Sequence, residues 1–163
     1  MTESKKGFEV AHVFDAPVEK LWKYFTTPAL MMKWWGPKDF TAPTIKIDFR
    51  VGGAFVYCMR GVAAPGTPPA DFWNTGTYTE IVPMEKIATS MSFADKDGNV
   101  ISALQLGLPG DWPMEVTVTV TFEKIEENKT KVTVQEVGIP TEMGENARLG
   151  WEQSFTKIAE VLM

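Results

Sequence analysis

Two side chains of types that often take part in catalysis, His12 and Cys58, are the only histidine and the only cysteine of the chain. A catalytic cysteine needs a base nearby, and zinc sites and disulfides need several such residues. The sequence therefore predicts no zinc cluster, no intrachain disulfide and an inert Cys58. In the alternating segment 8–14, His12 has the same parity as Val10 and Phe14, which means that all three lie on one face of the predicted strand. If that face is the inner one, the His12 ring could orient a ligand or carry a proton. The alternative is a histidine that is hydrogen-bonded within the structure or lies at a sheet edge.

A third candidate is the carboxylate of Glu136, which shares the parity of Val132 and Val134 in an alternating segment. A carboxylate buried on that face must be paired or hydrogen-bonded. Glu136 could therefore anchor the polar end of a ligand, or pair with a cation such as Arg60. If the strand bulges before Gly138, Glu136 is exposed instead.

The composition limits the classes of partner. The chain has 163 residues, 44% of them hydrophobic and 23% charged, with a formal net charge of -5 and a pI near 5.0. Such a charge opposes binding to nucleic acid or anionic lipid, and no segment approaches the roughly 20 apolar residues of a membrane-spanning helix. No secretory signal is apparent, so a cytoplasmic location is expected.

Sequence motifs give little support to an enzyme. The chain lacks the glycine-rich phosphate loops, the G-x-S-x-G nucleophile elbow and the H-E-x-x-H zinc motif. Arg50, in the segment DFRVGG, is predicted to fix a turn rather than to bind an anion. We therefore expect no cofactor and no metal, and binding is favoured over catalysis.

Hydrophobic periodicity predicts the elements that position these side chains. Residues 8–14 alternate as a strand, and two short amphipathic helices follow, the second ending at Gly36-Pro37. Later segments with period two predict strands at 44–49, 54–60, 74–82, 86–93, 115–125 and 129–137. Beyond Pro140 an apolar stripe predicts one long helix.

Two features of this predicted organisation suggest a binding site. Small residues on the long helix, Ala147, Gly150 and Ser154, either let it approach the sheet closely or leave volume open above it. The segments 61–70 and 99–114 are predicted to be loops, and the second could act as a flap. The whole chain, 1–163, is expected to form one domain.

The order of these elements and four segments resemble the START and birch-pollen-allergen (SRPBCC) superfamily, in the branch named for the activator of the heat-shock protein 90 ATPase. The segments are FDAPVEKLWKYFTTPALMMKWWGP at 14–37, DFRVGGAFVYCMRG at 48–61, GTYTEIVPMEKI at 76–87 and GWEQSFTKIAEVL at 150–162. The resemblance implies an α+β helix-grip fold, in which a curved antiparallel β-sheet wraps around a long C-terminal α-helix and two short helices follow strand 1. It also implies a cavity between sheet and helix, which relatives use for apolar molecules. Relatives commonly have Arg where this chain has His12.

Together these observations predict a protein that binds a small apolar molecule, such as a lipid, a polyketide or an aromatic metabolite. The residues predicted to bind it are His12, Tyr57, Trp73, Met91, Phe93, Glu136, Trp151 and Phe155. One alternative is a co-chaperone-like interaction domain that stimulates a heat-shock protein 90 ATPase. Another is a cyclase- or hydrolase-like enzyme that acts on a polyketide or ester through His12 or Glu136. The sequence permits a monomer or a homodimer.

Overall fold

A computed structural model describes residues 7–62, 64–107 and 112–162, with Glu142 described by its backbone only. These residues form seven strands, three α-helices and a short 3-10 helix at Leu104–Leu106. The strands are β1 (Gly7–Phe14), β2 (Thr41–Ile47), β3 (Ala54–Gly61), β4 (Ala70–Val82), β5 (Lys86–Ala94), β6 (Val116–Glu126) and β7 (Lys129–Val137). The α-helices are α1 (Val18–Thr26), α2 (Pro28–Met31) and α3 (Thr141–Leu162).

The seven strands form one antiparallel sheet in the order β1-β7-β6-β5-β4-β3-β2. Strands β2 to β7 follow one another as hairpins, whereas β1 pairs with β7 at the other edge, with Phe8 opposite Glu136. The curled sheet, the long α3 and the two short helices after β1 confirm the predicted helix-grip fold. Three boundaries were predicted wrongly. Strand β4 begins at Ala70 rather than at residue 74 and pairs with β3 from its first residue. Strand β2 begins at Thr41 rather than at residue 44, and α2 ends at Met31 rather than at Gly36-Pro37.

Aromatic side chains fill the space between the short helices and the sheet. Leu21 and Phe25 of α1 are buried, and the ring of Phe25 meets that of Phe122 on β6 edge-on at 5.3 Å. Trp34, after α2, is 0% exposed, and its Nε1–H donates to the carbonyl of Tyr24 at 2.7 Å. Each such side chain removed from water contributes roughly 1.5–3 kcal/mol.

The C-terminal half of α3 packs against β1 and is joined to α1. Phe155 and Ile158 are buried, and the Phe155 ring contacts that of Phe14 at 5.7 Å. At the end of the helix, the Tyr24 hydroxyl donates to the Val161 carbonyl at 3.3 Å. This half of α3 is therefore fastened to the core, and the N-terminal half lies over a different part of the sheet.

Strands β4 and β5 approach closely at Gly76. A Cβ atom there would collide with the carbonyl oxygen of Ser90 and lie 2.7 Å from Cζ of the Phe55 ring. We expect Gly76→Ala to lower the free energy of unfolding by about 1–3 kcal/mol, because strand and ring must both shift. Urea unfolding measures this. The control is Gly144→Ala on α3, where a Cβ meets nothing within 4 Å. A Gly76→Ala protein as stable as the control would contradict the close approach.

Candidate functional site

A cavity of about 320 Å³ lies between the concave face of the sheet and the N-terminal half of α3. Its lining is mainly aromatic, methionine and small side chains. The lining residues are Trp35, Gly36, Pro37, Met59, Asn74, Met91, Phe93, Trp112, Glu136, Met143, Asn146, Ala147, Gly150, Trp151 and Ser154. A second space of about 220 Å³ shares Met59, Asn74, Met91, Phe93, Trp112, Glu136 and Ala147 with it and extends to Ile139. The two spaces form a continuous apolar region.

Small residues of α3 make room for this cavity. A Cβ atom on Gly150 would meet only the Cβ of Pro37, at 4.0 Å, and Ala147 also lines the space. Of the two alternatives that the sequence left open, the structure shows open volume at Gly150. Ser154, one turn later, contacts the loop after α2, because its hydroxyl donates to the Gly36 carbonyl at 2.9 Å.

One wall of the cavity is the loop after α2, and α3 holds this loop in place. The ammonium of Lys157 donates to the carbonyl oxygens of Gly36, Pro37 and Phe40 at 3.0, 3.3 and 3.0 Å. Partial burial lowers the pKa of Lys157. These three bonds use the whole donor capacity of the ammonium, so Lys157 serves the wall rather than the cavity.

The buried acidic group of the cavity is Glu136 on β7. It is 6% exposed, and its cross-strand neighbours are Phe8 and Val118. Its Oε2 accepts a hydrogen bond from Trp151 Nε1–H at 2.7 Å. Burial raises the pKa of Glu136 from the usual 4.5 to about 7, and the bond from Trp151 opposes this rise. Near neutral pH the carboxyl group therefore exists in both protonation states.

Two pairs of aromatic rings flank the cavity. Trp35 and Trp151 meet at right angles with their centroids 5.8 Å apart, and Phe93 and Trp112 meet edge-on at 5.2 Å. All four side chains are only half-buried in a domain whose other large rings are mostly buried. All four line the cavity, which therefore offers rigid apolar surface to a ligand.

A sequence model described as "Activator of Hsp90 ATPase homolog 1-like protein" (AHSA1) matches residues 15–163. The chain belongs to this family. Among solved structures, a Chromobacterium violaceum protein is similar with 26% identity and a TM-score of 0.73, covering 94% of this chain and 95% of that one. An Arthrobacter aurescens protein has 28% identity and a TM-score of 0.74, with coverage of 95% and 84%. An AHSA1 protein from Silicibacter pomeroyi shares the fold at 18% identity and a TM-score of 0.73, with coverage of 95% and 96%. No curated protein matches the sequence.

In this AHSA1-family chain, four of the eight predicted binding residues meet at the cavity. They are Met91, Phe93, Glu136 and Trp151. Tyr57 lies deeper, stacked on Phe55 at 4.5 Å, and lines a smaller space of about 40 Å³ that shares Trp35, Met91 and Trp151 with the cavity. Burial, together with the neighbouring Tyr78, raises the pKa of Tyr57, which stays neutral at physiological pH.

The other three predicted residues lie outside the cavity. His12 has the predicted orientation, but β1 is an edge strand and the ring is exposed beside Phe14 at 4.6 Å. Trp73 pairs with Cys58 and Ala94, on the face opposite to that of the cavity residue Asn74. Phe155 is buried in the core.

The ion pair considered between Arg60 and Glu136 is not formed. Arg60 instead pairs with Asp71 on the neighbouring strand at 2.6 Å, because its side chain points away from the cavity. Arg50 pairs with Asp48 at 2.8 Å within the turn, in agreement with its predicted role there. Burial raises the pKa of Cys58, which keeps its thiol protonated.

Sequence reasoning did not assign Trp112 or Met143 to the site. Trp112 lies on the irregular segment before β6, where no periodicity indicates the direction of a side chain. Met143 lies in the first turn of α3, where it packs against the core and also lines the cavity. Within residues 7–62, 64–107 and 112–162, no group of three or more His, Cys, Asp or Glu side chains could hold a metal ion. No helix in that part of the chain is long and apolar enough to cross a membrane.

Proposed function

We propose that this protein binds a small, mostly apolar molecule in the cavity between the sheet and α3. Met91, Phe93 and Trp151 supply apolar contacts, and Glu136 holds the polar end of the ligand. The observation that carries the proposal is the cavity itself, since about 320 Å³ of space lined by apolar groups and one buried carboxyl is typical of ligand sites. The proposal places the protein in the cytoplasm.

Affinity would come chiefly from the apolar surface of the ligand. Each Å² of apolar area removed from water contributes about 25 cal/mol before the costs of association are subtracted. The half-buried rings of Trp35, Phe93, Trp112 and Trp151 provide such area without a large entropic cost, because they are already held by packing.

Catalysis has less support than binding. Among the described lining residues, Glu136 is the titratable group, and no nucleophile with an adjacent base accompanies it. Cys58 faces away and His12 is exposed on β1. A cyclase- or hydrolase-like reaction would therefore depend on Glu136 alone.

Native mass spectrometry of freshly purified protein tests the proposal, followed by calorimetry with phenylbutanol as an apolar probe. We expect a retained small molecule or probe binding, and we expect Gly150→Leu, which fills the cavity, to weaken probe binding at least about tenfold. The matched control is Gly144→Leu, on the same helix but outside the cavity lining, with unchanged binding. A wild-type protein that carries nothing and ignores the probe would overturn the proposal.

A second candidate is contact with a chaperone, which the family description favours together with exposed apolar side chains between β5 and β6. Leu104 is 84% exposed and Met114 is 52% exposed. If this surface contacts the chaperone, the wild-type protein should stimulate Hsp90 ATPase activity. Leu104→Ser, at the surface, should reduce the stimulation, and Gly150→Leu, in the cavity, should leave it unchanged. Without any stimulation by the wild-type protein, this candidate is excluded.

A further inference from the structure

We infer that the preferred ligand of the cavity carries a protonated amine on its apolar body, and that Glu136 and the tryptophan faces around it hold the ammonium group. This inference rests on the proposed function and names the chemical class of the ligand. It excludes fatty acids and other anionic amphiphiles as preferred ligands.

The first argument is the incomplete pairing of Glu136. Its Oε2 accepts from Trp151, whereas no hydrogen bond to its Oε1 is formed by the described residues, and no buried polar side-chain atom among them lacks a partner, so Oε1 is accessible from the cavity that Glu136 lines. Its cross-strand neighbours, Phe8 and Val118, are apolar. An ionised carboxylate in such surroundings needs a counter-charge, and a ligand ammonium in the cavity would supply one.

The second argument is that the basic side chains on the surrounding elements are engaged elsewhere. Arg60 on β3 pairs with Asp71, and Arg148 on α3 pairs with two glutamates of the same helix. Lys157 donates to three loop carbonyls, and His12 on β1 is exposed. None of these groups lines the cavity, so nothing described there would compensate the charge of an anionic ligand.

The third argument is the aromatic lining. The face of an aromatic ring carries partial negative charge and attracts cations, most strongly for tryptophan. Trp35 and Trp151 are paired on one side of the cavity, and Trp112 stands against Phe93. Trp151 also donates a hydrogen bond to the carboxylate, so one residue both orients the acidic group and lines the cavity.

The competing reading is a neutral ligand whose carbonyl accepts a hydrogen bond from protonated Glu136. The two readings predict opposite pH dependence. Burial raises the pKa of Glu136 to about 7. An ammonium ligand selects the ionised carboxylate, so its affinity should rise as the pH rises through 7. A carbonyl or carboxylic acid ligand selects the protonated form, so its affinity should fall over the same range.

Calorimetry with three probes of one skeleton tests the inference: phenylbutylamine, phenylbutanol and phenylbutyrate, each at pH about 6 and about 8. The amine stays protonated at both values. We expect amine binding to be about tenfold tighter at the higher pH, and tighter there than binding of the alcohol. We expect alcohol binding to change little with pH, and phenylbutyrate to bind most weakly at the higher pH.

The Glu136→Gln variant gives an independent measurement, since glutamine has the same shape and can still accept from Trp151. We expect this variant to lose the pH dependence and at least about tenfold of the amine affinity at the higher pH, and to lose much less of the alcohol affinity. The comparison within the wild-type protein stands even if the variant folds poorly. Alcohol binding without a preference for the amine would overturn this inference and leave the cavity function intact. Binding of none of the three probes by a protein that also retains no small molecule on purification would overturn both.

Discussion

Replacing Glu136 with glutamine is expected to stabilise the ligand-free protein by about 3 kcal/mol at pH about 8 and to leave its stability nearly unchanged at pH about 4. The reason is that burial raises the pKa of this carboxyl group from 4.5 in the unfolded chain to about 7 in the folded one. The folded state therefore binds the proton more tightly. The contribution of Glu136 to stability is therefore most favourable below pH 4.5, falls between 4.5 and about 7, and stays low above, because the buried group must then ionise.

Urea unfolding of both proteins at pH about 4, 6 and 8 measures this effect. Other carboxylates titrate equally in both proteins, so the difference between their free energies of unfolding isolates Glu136. The control is Glu9→Gln, an exposed glutamate on the neighbouring strand β1, with an expected effect within about 0.5 kcal/mol at each pH. Parallel pH profiles for the wild-type and Glu136→Gln proteins would show that the carboxyl group is not buried as described.

This gain in stability would accompany a loss of function if the amine inference holds. An acidic group that weakens the empty protein near neutral pH is retained most easily where it binds something. Urea unfolding therefore measures what the Glu136 carboxyl group costs in stability, and amine calorimetry measures what it contributes to binding. Only the calorimetry requires a ligand.

Trp34→Ala is expected to lower the free energy of unfolding by about 3–5 kcal/mol. The side chain is 0% exposed and its ring lies 4.7 Å from Phe25 and 6.1 Å from Trp151, so truncation opens a large void beside the cavity. It also removes the hydrogen bond that the Tyr24 carbonyl accepts from the indole N–H of Trp34.

Urea unfolding with two comparison variants separates these causes. Trp34→Phe keeps a ring but removes the hydrogen bond, and should cost about 1–3 kcal/mol. Trp73→Ala, which truncates a half-buried ring outside the cavity, should cost clearly less than Trp34→Ala. Equal losses for Trp34→Ala and Trp73→Ala would mean that Trp34 is not an organising residue of the core.

The fold could be predicted from the sequence because its elements have strong periodicity. The alternation of 115–125 and 129–137 and the apolar stripe after Pro140 correspond closely to β6, β7 and α3. The start of β4 was missed because Pro68 and Pro69 suggest a loop, and nothing local shows that pairing with β3 resumes at Ala70.

The site was harder to predict, because parity gives the face of a residue but not what covers it. Glu136 and His12 both have inward parity, yet Glu136 lies on a strand with neighbours on both sides and His12 lies on an edge strand. Trp73 was placed at the site for its size alone, and the parity of Asn74 and Tyr78 would have assigned it to the other face. Trp112 lies on an irregular segment, where the direction of a side chain depends on tertiary contacts and not on a local pattern.

The pairing of β1 with β7 also constrains how the chain folds. Phe8 and Glu136 are cross-strand neighbours although 128 positions separate them along the sequence. Strands β2 to β7 can pair with their neighbours along the chain, but β1, the edge strand beside Glu136, can pair only after β7 has been synthesised. The acidic group thus acquires its dry surroundings in a late, non-local step, and sheets closed in this way typically fold in milliseconds to seconds.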